Sequence, residues 1–144
     1  MNLSEHFTLE ELTHSDIGIR LGLDNTPSDA EIENLKRLAN LLEQVRALLG
    51  KPIMVNSAFR SKAINDAVGS KDTSQHRVGC AADIRVQGVS PNDVCKAIIA
   101  SDLQYDQIIR EFDSWTHISV PNKPNELYRY SKLIIDKSGT RAYS

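Results

Sequence analysis

Between Ser28 and Gly50 the apolar residues Ile32, Leu35, Leu38, Leu42, Val45 and Leu49 recur at intervals of three and four, while Glu, Lys and Arg fill most of the remaining positions. That spacing lays one apolar stripe along a helix and leaves a charged face opposite it. Ser28 with Glu31 supplies a capping box at the start, and Gly50 a stop at the end. The helix reads as scaffold, with its charges a solvated face. Ahead of it, FTLEELTHSD predicts a short helix with Thr8 as N-cap and Glu11 three positions on, followed by a loop rich in Gly, Asn and Pro.

Beyond Gly50 the period shortens. PIMVN is an apolar run that fits a buried strand and leads directly into SAFRS. KAINDAVG predicts a brief helix ended by Gly69, and CAADIRV a strand ending at the turn signal QG. SPNDVCKAIIASD is a helix with Ser90 as N-cap, Pro91 at the first helical position and Asp93 near its positive end. YDQIIREF and WTHISV are strands separated by a turn at DS, and SKLIID is one more strand before a turn at KSG. Helices gather toward the first half and strands toward the second. The fold class expected is α+β, a central antiparallel sheet with flanking helices.

Length and charge narrow the function. A chain of 144 residues is the size of one domain, and residues 1–144 are read as one. With 40% hydrophobic and 25% charged residues and a formal net charge of -2, nothing draws it to a phosphate backbone, so nucleic acid is not an expected partner. Cys80 and Cys95 sit among apolar neighbours, which fits packed thiols and neither a disulfide framework nor a CxxC metal knuckle. No apolar run reaches membrane-spanning length and no signal-peptide pattern opens the chain, so synthesis in the cytoplasm is expected. Walker, GxGxxG and HExxH motifs are absent.

The stretch SQHRVGCAADI carries candidate chemistry in His76 and Asp83. A single helix would hold them about 10 Å apart, too far to share an ion with bonds near 2 Å. A turn at Gly79 leading into a strand could join them. Spacing alone leaves the pair either as polar loop, cap or hydrogen-bonded histidine, or as two metal ligands. His117, inside the apolar WTHISV, needs a partner because an unpaired buried imidazole is costly. It is either a hydrogen-bonded core histidine or the third member of a His, Asp, His site with a fourth position open to water. His6 and His14 are read as surface residues.

Taken together, SAFRS, SQHRVGCAADI and YDQIIREFDSWTHISV resemble the zinc-dependent peptidoglycan peptidases of the D-alanyl-D-alanine carboxypeptidase and L-alanyl-D-glutamate endopeptidase group, which shares a metal site and core fold with the hedgehog signalling domain. The pattern SxHxxGxAxD, an upstream Ser-x-x-Arg and a downstream Trp-x-His carry the likeness over roughly residues 7 to 120, and FTLEELTHSD is similar to the start of phage-associated members. The resemblance implies zinc on His76, Asp83 and His117, and makes Arg60 the substrate arginine, whose planar fork suits a carboxylate or a developing oxyanion. Ser57, Ser74 and Gln75 are candidates to hydrogen-bond substrate or support the metal shell, and Trp115 to wall the cleft, with plain packing the simpler reading of Trp115. Expected with the resemblance are Zn2+ as cofactor, a peptidoglycan stem peptide as substrate, a monomer, and action at the bacterial cell wall after phage-type release. The alternative is a zinc-stabilised cell-wall or protein-binding module without hydrolysis.

The family also places an acid shortly before the last histidine, and Glu111 and Asp113 compete for that role as proton acceptor. In one continuous strand Glu111 would lie about 20 Å from His117, so the chain must reverse between them. A three-residue loop DSW would pair Phe112 with Thr116, set Glu111 directly opposite His117 and leave Asp113 in the loop. The six-residue separation also resembles the hedgehog-type arrangement. Glu111 is therefore the expected base and Asp113 the alternative.

Overall fold

The computed structural model describes residues 1–143. Short helices α1 (Leu9–Leu12) and α2 (Asp16–Leu21) lead into the long α3 (Asp29–Leu49). The stripe of α3 is buried at Leu35, Leu38, Leu42 and Val45, and its capping box forms: Ser28 Oγ accepts the Glu31 N–H while the Glu31 carboxylate accepts the Ser28 N–H. Then come β1 (Met54–Ser57), α4 (Lys62–Ala67), a 3₁₀ helix (Gln75–Val78), β2 (Ala81–Arg85) and α5 (Pro91–Ile99). Strands β3 (Gln107–Glu111), β4 (Trp115–Ser119), β5 (Ser131–Asp136) and β6 (Gly139–Ala142) complete the order.

The six strands form one sheet in the order β1-β2-β4-β3-β5-β6. Its pairs are antiparallel except β3 with β5, which run parallel because β4 ends beside the start of β3 and residues 120–130 cross to the other side of β3 at that same end. The expected α+β class holds, with a mixed sheet. Alternation along the strands separates two faces. Ala82, Ile84, Ile108 and Ile118 join the apolar cluster with α3 and α5, while Asp83, His117, Ile109 and Glu111 project from the other face. Cys80 and Cys95 are free thiols within that core, and burial pushes both up to about 11.

Three local expectations are corrected. The segment after α1 is not all loop: Ser15 Oγ accepts the Gly18 N–H, and left-handed Gly22 closes the helix α2 between them. The tail turns at KSG and continues as β6, because β5 offers it a free edge to pair with. The β3–β4 loop is Phe112 to Ser114 and not DSW. Phe112 and Asp113 both take positive φ, 54° and 51°, and the Ser114 N–H closes on Glu111 O at 2.9 Å, so the reversal begins one residue earlier than expected. Thr116 consequently pairs with Arg110, Trp115 with Glu111, and His117 with Ile109.

Candidate active site

His76 is positioned by one turn of 3₁₀ helix. Ser74 caps it, with its Oγ accepting the His76 N–H at 3.3 Å, and Gly79 leaves the turn at φ 81° so that the chain enters β2. Asp83 then falls in the middle of β2, directly across from His117 on β4. The turn and the strand pair thus bring together three side chains far apart in sequence. One donor atom from each of His76, Asp83 and His117 lies within 4.8 Å of the others, and all three residues are buried.

Both imidazoles converge on one oxygen. His76 Nε2 is 3.2 Å and His117 Nδ1 3.0 Å from Asp83 Oδ1, and the two rings meet edge-on at 5.1 Å between centroids. The second nitrogen of His76, Nδ1, lies 2.7 Å from the carbonyl oxygen of Ala58. A carbonyl can only accept, so Nδ1 carries the proton, and a neutral His76 presents its Nε2 lone pair to a carboxylate. Burial lowers the pKa of His76 against the pull of Asp83, which favours that neutral form. Burial would raise the pKa of Asp83, but positive charge on the facing imidazoles and hydrogen bonds from them pull it below the usual range, and with His76 neutral a bound cation would have to supply that charge. A lone pair facing a carboxylate inside a protein calls for a cation between them. The donor set of two imidazoles and one carboxylate suits zinc.

Around this centre stand the other expected residues. Arg60 Nη2 is 3.9 Å from Asp83 Oδ2. Its Nη1 donates to Asn65 Oδ1 at 3.2 Å, its Nε to Ser57 Oγ at 3.4 Å, and its backbone N–H to His76 O at 2.9 Å. Glu111 Oε1 reaches to 3.9 Å from His117 Nδ1. Burial raises the pKa of Glu111, and the Asp83 charge raises it further. The indole N–H of Trp115 is buried with no hydrogen-bond partner among the described residues, and its approach to Glu111 favours the ionised carboxylate. Asp113 sits apart: on the loop, with its side chain 71% exposed, it pairs with Arg110 Nε at 3.2 Å. Ser74 is engaged as a cap, and the Gln75 amide with Asp106, Val120 and Asn122. His14 is exposed, while His6 is partly covered and bonds Glu43.

A family model described as peptidase M15 matches residues 5–119. The chain belongs to the peptidase M15 family. No curated protein matches it. The matched span of this M15 peptidase includes every residue from Ser57 to His117 described above and ends at the last residue of β4.

Sequence reasoning missed two participants. The Ala58 carbonyl, which fixes the His76 tautomer, is backbone and has no residue-type signature. Asn65, fully buried, braces Arg60 and also donates to Lys71 O; a polar residue on the inward side of KAINDAVG was the available hint. A cavity of about 560 Å³, lined in part by Met54, Ile84, Val86, Asp113 and Thr116, opens on the opposite face of the sheet from the cluster. The cluster itself lies outside that cavity. Among the described residues no helix is long and apolar enough to cross a membrane.

Proposed function

We propose that this M15 peptidase hydrolyses an amide bond in the stem peptides of bacterial peptidoglycan, using zinc held by His76, Asp83 and His117, and that residues 1–144 work as one such domain. The observation that carries the reading is the convergence of His76 Nε2 and His117 Nδ1 on Asp83 Oδ1 with an acid, Glu111, 3.9 Å from the second imidazole. Zinc bound there supplies Lewis acidity, which acidifies water and polarises a carbonyl.

The rest of the chemistry belongs to the chain's own groups. Glu111, its pKa raised by burial, takes the proton that the attacking water releases and delivers it to the leaving amine nitrogen. Arg60, braced by Asn65 and Ser57, holds a substrate carboxylate or the carbonyl oxygen as it becomes negative. Trp115 walls the cleft beside Glu111. The acid beside His117 favours hydrolysis over a purely binding role.

Digestion of defined peptidoglycan fragments followed by mass spectrometry tests the proposal, with zinc-loaded protein, metal-free protein and Glu111→Gln run side by side. A new peptide terminus is expected from the zinc-loaded protein alone. Equal product from the metal-free protein would refute the zinc mechanism, and the mass of the product identifies the bond.

A further inference from the structure

We infer that Gln75 is a positioning residue for His76, held in place by a latch that the segment beyond the family match closes through Arg129 and Asp106. The inference rests on the proposed zinc site. A single 3₁₀ turn is a weak support for a metal ligand, because its hydrogen-bond geometry is poor and it has no neighbouring turns to stiffen it. His76 nevertheless has to present Nε2 at a fixed place. Its ring is held by Ala58 O and its backbone by Ser74 and Arg60. On the far side of the turn the holding group is the side chain of Gln75.

Gln75 Nε2 lies 3.1 Å from Asp106 Oδ2, 2.9 Å from Val120 O and 3.0 Å from Asn122 Oδ1. Its Oε1 is buried with no donor among the described residues. Flipping the amide would set a carbonyl oxygen against three acceptors, so the orientation is fixed by the nitrogen. Asp106, nearly inaccessible, is in turn gripped by Arg129 through Nε at 3.0 Å to Oδ1, Nη2 at 2.7 Å to Oδ2 and the backbone N–H at 3.2 Å. That two-pronged ionic contact is of the strong, orientation-specific kind. It fixes the oxygen to which Gln75 donates.

Arg129 lies beyond residue 119, where the family match ends, so this brace comes from a part of the chain outside the matched core. A simpler role, fastening the tail to the sheet, is already filled by other bonds. Ser131 N–H donates to Asp106 O, and β5 pairs along the whole of β3. Those bonds are made by backbone groups, so removing the Arg129 side chain leaves them in place.

The test is zinc affinity, measured by competition with a chromophoric chelator on wild type, Gln75→Ala, Arg129→Ala, Arg129→Lys and the double alanine variant, with circular dichroism confirming the fold. Supports of a metal ligand are worth about 10- to 100-fold in affinity, and a loss in that range is expected for Gln75→Ala and Arg129→Ala. Arg129→Lys should recover part of it. The double variant should bind no more weakly than Gln75→Ala, since both act along one path. Unchanged zinc affinity in both single variants, with only a lowered melting temperature, would overturn the inference and leave the zinc site standing. A wild-type protein that fails to bind zinc would overturn the reading beneath it.

Discussion

Glu111 Oε1 stands 3.9 Å from His117 Nδ1 although the two are not cross-strand partners, since His117 pairs with Ile109 and Glu111 with Trp115. They share a face of the hairpin on a diagonal, a separation that only a long side chain bridges. Glu111→Gln should therefore keep the fold and the zinc while kcat falls by about 10²- to 10⁴-fold, the range of general acid–base catalysis. Glu111→Asp, with its carboxylate one methylene short of the diagonal, should also be impaired. Steady-state rates on a defined muropeptide, with zinc content measured on the same samples, decide the matter. Wild-type turnover by Glu111→Gln would remove it as the base.

His76 and His117 are expected to fail differently from Glu111. Alanine at either position removes one of two imidazoles from a three-residue cluster, so bound zinc should fall from about one per chain toward none after dialysis. In the wild type, excess zinc should raise the melting temperature by mass action, because a ligand that binds only the folded state stabilises it. His76→Ala should lose most of that zinc-dependent rise. A full rise in the variant would mean that the metal sits elsewhere.

Much of the fold was legible in local pattern. The stripe and capping box of α3, the Ser90–Pro91 start of α5 and the strands around Asp83 and His117 all follow from short-range signals. What local pattern left out depends on partners distant in sequence. β6 exists because β5 has an open edge, and the parallel alignment of β3 with β5 depends on the path of residues 120–130. At the site, the motif marked His76, Asp83 and Arg60, but not how they are held. The Ala58 carbonyl carries no side-chain signal, and Arg129 is 23 residues from the carboxylate it grips. The hairpin register failed for a different reason: Phe112 and Asp113 adopt left-handed backbone that glycine or asparagine normally signals.

Gly79 is the hinge between the turn carrying His76 and the strand carrying Asp83. Its φ of 81° disfavours any side chain, and a Cβ there would lie 2.9 Å from Glu31 O and 3.1 Å from Leu35 Cγ on α3. Gly79→Ala combines backbone strain with a clash against helical backbone, and should lower stability by about 1–3 kcal/mol or more. Urea denaturation measures it. Gly69 is the comparison: its φ of 75° is similar but among the described residues nothing beyond its chain neighbours lies within 4 Å of an added Cβ, so Gly69→Ala should show the strain without the clash and cost less.

Acid should weaken the fold through Asp106. Burial works to raise its pKa, but the hydrogen bonds and charge of Arg129, with the Gln75 amide, hold the carboxyl below its ordinary 3.8. In the unfolded chain the same group takes up a proton at higher pH, so its contribution to stability is fully present above the ordinary value. That contribution is lost as pH falls through the depressed folded pKa. Asp106→Asn should cost about 1.5–3 kcal/mol at about pH 7, where the charge-assisted bonds are intact. The gap between variant and wild type should then narrow as the pH falls below the ordinary 3.8. Denaturant midpoints for both proteins across that range provide the check. A gap that stays constant with pH would show that the Asp106 charge does not stabilise the fold.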